Sequence, residues 1–150
     1  MQVEISGLGN VTYDESELLY FKEGLYGFDD LHKYLPVPFE ESDRIFILQS
    51  IEEPMISFVL MNPFMILDDY DPVLLDKDIE DLGNPSMDDI SFYIICSLKS
   101  DIGESTLNLK CPIAVNATNK QAKQIILEDS KYQLRHRFKD YEIKNLLQEG

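Results

Sequence analysis

Two short apolar runs near the middle of the chain constrain its fold more than any other feature. Residues 45–48 and 55–61 are rich in β-branched, aromatic and long aliphatic side chains, and the mostly polar residues 49–54 separate them. Runs of this kind on either side of a polar break are typical of a β-hairpin. Neither run alternates between apolar and polar residues, as a strand with only one buried face would. We therefore predict a central hairpin that is covered on both faces, in a closed or two-layered sheet.

Other short apolar runs add strands on both sides of this hairpin. In residues 107–115 the apolar side chains occupy every second position, which is typical of a strand with one face on a core, and Pro112 indicates an edge or a bulge. A short helix is predicted over residues 76–82, where Gly83 and Pro85 stop it. The other predicted elements are strands at 3–5 and 11–13 around a turn at 7–10, a strand at 18–21, a short strand or turn at 31–35 closed by Pro36 and Pro38, and strands at 90–96 and 124–127.

This series of short strands and turn residues predicts the fold class and the domain organisation. The expected fold is mainly β: a small antiparallel β-barrel-like single domain with a few short helices. The length of 150 residues fits one domain. We place the β-barrel-like domain at 1–137 and a charged C-terminal tail at 138–150. Apolar residues recur among charged ones from 132 onward, so the tail can form an amphipathic helix; they are Leu134, Phe138, Tyr141 and Leu146 or Leu147.

The cysteines and the apolar runs indicate a cytoplasmic protein. Cys96 and Cys111 are the only cysteines, and both lie in apolar, strand-like runs, where we expect reduced, buried thiols. No apolar run approaches the roughly 20 residues of a membrane span. The first residues lack the basic and apolar regions of a secretory signal. We expect no membrane association.

The charge is unevenly distributed along the chain. The net charge is −15; residues 1–98 hold 21 acidic and 4 basic residues, whereas residues 99–150 hold 7 acidic and 9 basic ones. Direct nucleic-acid binding by the first two-thirds would be opposed by phosphate repulsion. A basic protein partner would instead be attracted. The alternative is that the excess carboxylates only keep the domain soluble.

The strongest concentration of acidic residues lies between 68 and 89. This stretch holds nine carboxylates and one base, Lys77. Its acidic residues do not follow the spacing of the twelve-residue EF-hand loop, which needs a central glycine and a terminal glutamate. We therefore predict a solvated acidic surface and no metal site.

No pattern in the chain predicts catalysis. His32 and His136 lie far apart, and the sequence contains no G-x-S-x-G, C-x-x-C or H-E-x-x-H motif. Gly24 and Gly27 are not followed by the lysine and hydroxyl of a P-loop. We expect no catalytic residue, no cofactor and no enzyme activity. A small hydrolase using paired carboxylates is the alternative, and it would need a deep pocket in which they converge.

Several motifs, taken together, resemble one family. Residues 21–28, FKEGLYGF, resemble the F-x-x-G-[IL]-x-G-F signature of the bacterial flagellar assembly factor FliW. Residues 108–113, NLKCPI, resemble the N-L-x-x-P-[IV] strand of that family, and residues 124–127 with Tyr132, Arg135 and His136 resemble its C-terminal part. The resemblance runs from about residue 3 to 137. The motif residues that we expect to be structural are Phe21, Gly24, Gly27, Phe28, Gln49, Ser50, Pro54, Phe58, Pro63, Asn108 and Pro112.

This resemblance implies a cytosolic, non-catalytic regulator with a small β-barrel-like fold. Members of the family bind flagellin, and they bind the RNA-binding repressor CsrA, which blocks translation of flagellin mRNA. Competition between the two partners would couple flagellin export to relief of that repression. The alternative is a generic acidic chaperone or adaptor for an exported subunit, without a role in translation.

The implied partners point to two sets of candidate residues. A basic, RNA-binding repressor would be attracted by the acidic stretch: Asp68, Asp69, Asp71, Asp76, Asp78, Glu80 and Asp81. An amphipathic terminus of flagellin would need an apolar groove with a polar rim. The candidates for that groove are the exposed members of a set for which core packing is the alternative: Leu25, Tyr26, Phe28, Met61, Phe64 and Met65.

Overall fold

The structure, a computed structural model, describes residues 1–39, 45–128 and 131–141. Within these ranges the chain forms eleven strands, one α-helix and five short 3₁₀ turns. The helix, α1, spans Asp76–Asp81. The strands are β1 (Gln2–Ile5), β2 (Gly9–Thr12), β3 (Leu19–Phe21), β4 (Lys33–Pro38), β5 (Ile45–Ser50), β6 (Ser57–Met61), β7 (Ile90–Ser97), β8 (Thr106–Leu107), β9 (Ile113–Asn116), β10 (Gln121–Gln124) and β11 (His136–Arg137).

Seven of the strands close into a barrel. The order around the ring is β3, β4, β5, β6, β7, β9 and β10, and β10 returns to β3. All of these pairs are antiparallel except β10 with β3, which is parallel. The predicted central hairpin is β5 with β6, in which Ile47 lies opposite Val59. The predicted fold class is confirmed.

The inside of the barrel is one apolar cluster to which all seven strands contribute. The Tyr34 hydroxyl lies there without a hydrogen-bond partner among the described residues, and burial raises the pKa of this phenol to about 12. Its main contributors are Leu19, Phe21, Tyr34, Leu48, Leu60, Ile113, Val115 and Ala122, with the partly buried Tyr93 and Ile95 of β7.

Two further clusters cover the outside of the barrel. The β1–β2 hairpin packs on Leu35, Val37 and Ile47 of β4 and β5. A second outer cluster covers β5, β6 and β7, and it includes Ile45 and Met61 of the central hairpin. The central hairpin is therefore covered on both faces, as predicted. The loops and the C-terminal part contribute Tyr70, Leu82, Leu109, Ile125, Leu127, Tyr132 and Phe138 to this outer cluster.

Strand β4 corrects the prediction that prolines would close this segment at residue 35. It runs through Pro36 and Pro38. Its described hydrogen bonds with the β5 side involve odd-numbered residues: Lys33 accepts from the N–H of Ile51, and the N–H of Phe39 donates to Ile45. On the other side β3 pairs only with Lys33 and Tyr34. Pro36 and Pro38 therefore occupy positions at which no N–H is needed for the hydrogen bonds between strands, so both fit within β4.

The strand predicted over 107–115 is split into β8 and β9, which pair with the two ends of β7, and the bulge that Pro112 indicated lies between them. Five residues, 108–112, stand opposite only Ile94 and Ile95, so the chain bulges between the two strands. The Oδ1 of Asn108 closes the bulge by accepting the N–H of Cys111 at 3.0 Å. The strand predicted at 124–127 is displaced to β10. Ile125 and Leu127 instead donate single hydrogen bonds to Pro112 and Lys110, the second at 2.9 Å.

The C-terminal part packs on the barrel as far as it is described. Strand β11 pairs with β8, and the fully buried Phe138 donates its N–H to Ser105 at 2.8 Å. Residues 131–141 contain no α-helix, and the remainder of the predicted tail, 142–150, lies outside the described residues. Both cysteines are buried and unpaired, as predicted. None of the helices in the described ranges has the length and apolar content needed to cross a membrane.

Candidate partner-binding site

The acidic segment, residues 62–89, leaves the barrel at the end of β6 and returns at the start of β7. It begins with a 3₁₀ turn at Pro63–Met65, which Asn62 caps by accepting the N–H of Phe64 at 2.9 Å. The ring of Phe64 packs edge-on against Tyr70 and Phe92. These contacts fix the first turn of the segment on the outer cluster.

Two tyrosines hold the next part of the acidic segment. The Tyr70 hydroxyl donates to the carbonyl of Leu109 at 2.7 Å, and its ring lies 4.7 Å from that of Tyr132. The N–H of Asp71 donates to the Tyr132 hydroxyl at 3.0 Å. Burial raises the pKa of Tyr70, so its hydroxyl keeps the proton that it donates. With the backbone held in this way, the carboxylates of Asp68, Asp69 and Asp71 are exposed.

Helix α1 is docked on the barrel by Lys123 of β10. Its Nζ lies 2.9 Å from Oδ1 of Asp78 and 2.7 Å from Oδ2 of Asp81. The hydrogen bond from Lys123 holds the pKa of Asp81 below its usual value. Burial by itself lowers the pKa of Lys123, but the hydrogen bonds to Asp81 and Asp78 outweigh this effect and raise the pKa above its usual value. The other oxygen of Asp78 accepts the N–H of Leu75 at 3.0 Å, which caps the helix.

This docking corrects the expectation that the whole stretch is a solvated acidic surface. Asp78 is only 8% exposed, and both Asp78 and Asp81 are paired with a cation that lies more than forty positions away in the sequence. Their carboxylates support the fold. The residues of the stretch whose carboxylates are exposed are Asp68, Asp69, Asp71, Asp76, Glu80, Asp88 and Asp89.

The end of α1 is fixed by two asparagine side chains, one from the last residue of β9 and one from the turn that follows it. The Nδ2 atoms of Asn116 and Asn119 donate to the carbonyl of Leu82, at 2.8 and 3.2 Å. Gly83 follows with a φ of +86°, and a Cβ there would lie 2.6 Å from Asn119. Gly83, which was predicted to stop the helix, is therefore required both for its backbone angle and for the close approach of Asn119.

An open cavity of about 540 Å³ lies beside the exposed acidic residues. We call it the apolar groove, because three of its side chains are exposed and apolar: Val73, Leu75 and Ile126. These three are not among the residues predicted from the sequence, although an apolar run at 73–75 inside an acidic stretch indicates a surface of this kind. The complete lining is Asp69, Asp71, Val73, Leu75, Ile126, Leu127, Glu128, Lys131 and Tyr132.

A second, smaller cavity of about 290 Å³ lies beside the glycine loop, residues 21–28. Gly24 has a φ of +70°, and a Cβ there would lie 2.5 Å from the carbonyl oxygen of Phe28. The N–H of Tyr26 donates to Oε1 of Gln124 at 2.9 Å, which ties the loop to β10. The lining of this cavity is mixed in charge: Lys22, Glu23, Gly24, Tyr26, Asp29, Asp81, Ala122, Lys123 and Gln124.

The candidate apolar residues do not form one groove. Leu25 and Met61 are each 1% exposed and belong to two different clusters, and Phe28 is half-buried against Phe58. The exposed members are Tyr26, which lines the second cavity, and Phe64 and Met65, which line neither cavity.

The motif residues that were expected to be structural make contacts within the fold. The Nε2 of Gln49, which is buried, lies within hydrogen-bond distance of the carbonyls of Ser50, Pro54 and Ile56. The Ser50 hydroxyl accepts the N–H of Glu53 at 3.0 Å. Phe21 packs edge-on against Tyr34, with ring centroids 5.2 Å apart. These contacts hold the β5–β6 turn and the start of the glycine loop.

The chain is similar to one family along nearly its whole length. Residues 2–138 match the model of the family described as "FliW protein". The flagellar assembly factor FliW of Shouchella clausii (strain KSM-K16) is 36% identical over 135 residues, which cover 90% of this chain and 92% of that protein. The flagellar assembly factor FliW of Ruminiclostridium cellulolyticum is 34% identical over 143 residues, covering 93% and 95%. A crystal structure of the flagellar assembly factor FliW superposes with a TM-score of 0.85 at 28% identity, covering 91% of this chain and 96% of that one.

Proposed function

The chain belongs to the FliW family of flagellar assembly factors, and from this membership we propose that it is a cytoplasmic regulator that acts by direct protein–protein binding. It binds flagellin, and it binds and antagonises the translational repressor CsrA. Antagonism of the repressor relieves the block on translation of flagellin mRNA. Both partners are inferred from membership of the family, and the acidic surface of this chain specifically supports binding of the repressor.

The observation that carries the proposal is the set of exposed carboxylates in the acidic segment. Seven acidic residues between 68 and 89 project into solvent, and Lys77 is the one base within that stretch. A protein that binds RNA must present a positive surface to phosphates. An acidic surface attracts such a partner over long distances and raises its association rate. The same carboxylates repel RNA from a repressor that is held beside them.

A role in catalysis is disfavoured by the state of the candidate nucleophiles. Burial raises the pKa of both the Cys96 and the Cys111 thiol, which keeps them protonated and unreactive at neutral pH. Nδ1 of His32 lies 2.8 Å from the carbonyl of Phe21, and Nδ1 of His136 lies 2.7 Å from the hydroxyl of Tyr141. Each histidine ring thus contacts a neighbouring carbonyl or hydroxyl, and the described residues contain no cluster of three or more histidine, cysteine, aspartate or glutamate side chains placed to hold a metal ion.

A competition experiment tests the proposal. The purified chain is bound to labelled CsrA-type repressor, and unlabelled flagellin is titrated into the complex. We expect flagellin to release the repressor, and a flagellin mRNA leader added afterwards to bind the released repressor. A chain that binds flagellin but never the repressor would be an acidic chaperone without a role in translation. A chain that binds neither would overturn the proposal.

A further inference from the structure

We propose that the apolar groove is a docking site for an amphipathic helical peptide segment that carries basic residues beside its apolar face. The segment would belong to a protein partner, and the inference rests on the function proposed above only for the identity of that partner. The groove lies between residues 69–75 of the acidic segment and a second wall formed by residues 126–128, 131 and 132, which follow β10.

The apolar character of the groove requires an occupant with apolar side chains. Val73 and Leu75 are 64% and 63% exposed, and Ile126 is 40% exposed. Side chains of these types are usually buried, and an exposed group of them beside a concave surface is typical of an interaction site. The cavity, about 540 Å³, is within the size range of pockets that enclose much of a ligand. A helix that presents apolar residues at i, i+3, i+4 and i+7 fits such a groove.

The charge of the groove selects among amphipathic segments. Asp69, Asp71 and Glu128 line it, and Lys131 is the one basic residue among its lining. The Lys131 ammonium lies 5.7 Å from the ring centroid of Tyr132, so its charge is directed toward the aromatic floor. Lysine or arginine beside the apolar face of the occupant would meet the three carboxylates, whereas glutamate or aspartate would be repelled.

The floor of the groove is held in place before anything binds. The ring of Tyr132 packs at an angle against that of Tyr70, and the Tyr132 hydroxyl accepts a hydrogen bond from the N–H of Asp71, while the Tyr70 hydroxyl donates to Leu109. The rim is fixed at Leu75, because Asp78 caps its N–H while pairing with Lys123. A preformed surface loses little conformational entropy on binding, so more of the contact energy appears as affinity.

Synthetic peptides test the groove directly. The probe is a fluorescein-labelled peptide of about 16 residues, since shorter peptides form little helix, with leucine on one face and lysine on the other. A matched peptide carries glutamate in place of lysine. Fluorescence anisotropy should show tighter binding of the lysine peptide to the full chain. The triple variant Val73→Ser, Leu75→Ser, Ile126→Ser should weaken it about tenfold or more, as loss of apolar anchors does.

Matched variants separate groove binding from non-specific attraction. Leu98→Ser with Met55→Ser removes exposed apolar side chains elsewhere and should leave the affinity unchanged. Asp69→Asn, Asp71→Asn, Glu128→Gln should weaken the lysine peptide more than Glu4→Gln, Glu15→Gln, Asp30→Asn, which removes the same charge outside the groove. All of these positions are exposed, and equal melting temperatures would show that the variants fold. Equal binding by the wild type and both triple variants would overturn the inference.

Intact partners distinguish a failure of the groove from a failure of the proposed function. If the wild type binds flagellin or the repressor and the serine triple variant loses about tenfold in affinity for one of them, the groove is a docking site for that partner. If the serine variant binds both as the wild type does, the inference is wrong while the proposed function stands. If the wild type binds neither, the proposed function fails, and the peptide titration still decides whether the groove binds.

Discussion

The glycine loop and the acidic segment both dock onto β10, but they are held by different kinds of contact. The glycine loop is held along its whole length: Phe21 and Leu25 are buried in the barrel, Gly24 lies too close to Phe28 for any side chain, and the N–H of Tyr26 bonds to Gln124. The acidic segment is held by a few side chains, chiefly Tyr70, Tyr132 and Lys123. Between these anchors most of its carboxylates and the apolar side chains of Val73 and Leu75 are exposed.

This difference explains why the most recognisable motif is not the surface that we assign to partners. A loop packed along its whole length tolerates few residues, so it gives a strong sequence signature. A segment fixed at a few anchors leaves the intervening positions available for binding. Substitutions in the glycine loop should therefore change stability, whereas substitutions of exposed residues in the acidic segment should change binding. Four predictions test this difference, and they follow in order of decreasing expected effect.

The largest effect is expected at Gly24. A Cβ at this position would lie 2.5 Å from the Phe28 oxygen and 2.9 Å from the Cα of Asp29, in addition to the strain of its positive φ. We expect Gly24→Ala to lower the free energy of unfolding by about 3 kcal/mol or more. Gly27 also has a positive φ, but its Cβ would meet open space. Gly27→Ala should therefore cost only about 1–2 kcal/mol.

Urea denaturation of both variants measures this difference. Gly103→Ala is the matched control, because its Cβ would make ordinary contacts and its φ is not positive. Equal losses of unfolding free energy in Gly24→Ala and Gly27→Ala would show that the close contacts at position 24 add nothing to the cost of the substitution.

The anchor of the acidic segment should have an intermediate effect. Lys123→Met would leave the buried Asp78 without a cation and would leave Asp81 only the exposed Lys77, at 3.4 Å. We expect a loss of about 2–4 kcal/mol in the free energy of unfolding. The exposed Lys99→Met is the control and should change little. If Lys123→Met also costs little, the segment is held by its tyrosines and not by this ion pair.

The same pair predicts a pH dependence of stability. The pKa of Asp81 is lowered in the fold, so its contribution is present above the ordinary value of 3.8 and is lost as the pH falls through the folded value. The pKa of Lys123 is raised, so its contribution is present below 10.5 and is lost as the pH rises through the folded value. Between pH 5 and 9 the pair should stabilise the fold by a constant amount. The acid-induced loss should be smaller in Lys123→Met than in the wild type.

The smallest effect on stability, and a clear effect on kinetics, is expected for the exposed carboxylates. The variant Asp68→Asn, Asp76→Asn, Glu80→Gln, Asp88→Asn removes four charges without touching the groove or the Lys123 pair. We expect its melting temperature to stay within a few degrees of the wild type, because exposed charges contribute little to stability. Its association rate with the repressor at low salt should fall by about tenfold, with a flatter salt dependence.

Stopped-flow fluorescence at several salt concentrations measures these rates. The matched control removes four charges elsewhere: Glu4→Gln, Glu15→Gln, Glu23→Gln, Asp30→Asn. If both variants slow association equally, the attraction comes from the net charge alone. An unchanged association rate in both variants would show that the acidic segment does not contribute to binding of the repressor.

Strands that are specified by a local sequence pattern could be predicted. The errors concern strands whose extent depends on pairing with distant parts of the chain. The runs that became β5, β6 and β7 are short, apolar and bounded by turn residues, so their assignment needs no knowledge of their neighbours. The strand at 107–115 was split because β7 has partners at both ends. The alternating pattern is the same in a continuous strand and in one with a bulge.

The candidate site could be predicted only in part. The exposed Asp68, Asp69, Asp76 and Glu80 followed from charge alone, but the pairing of Asp78 and Asp81 with Lys123 did not. On the short helix α1 these carboxylates alternate with exposed ones, and only the position of β10 decides which of them meet a cation. The groove escaped prediction because Val73 and Ile126 lie on segments that the sequence separates by about fifty residues.

The β class, the family, the buried thiols and the surplus of negative charge can all be inferred from the amino-acid sequence. These properties depend on composition, on short patterns and on motifs that are each local in the chain. The exposure of individual carboxylates, the closure of the barrel and the apolar lining of the groove become visible only in the folded chain. The reason is that each of these depends on contacts between distant segments, and a side chain's burial and partners are set by the surface brought against it.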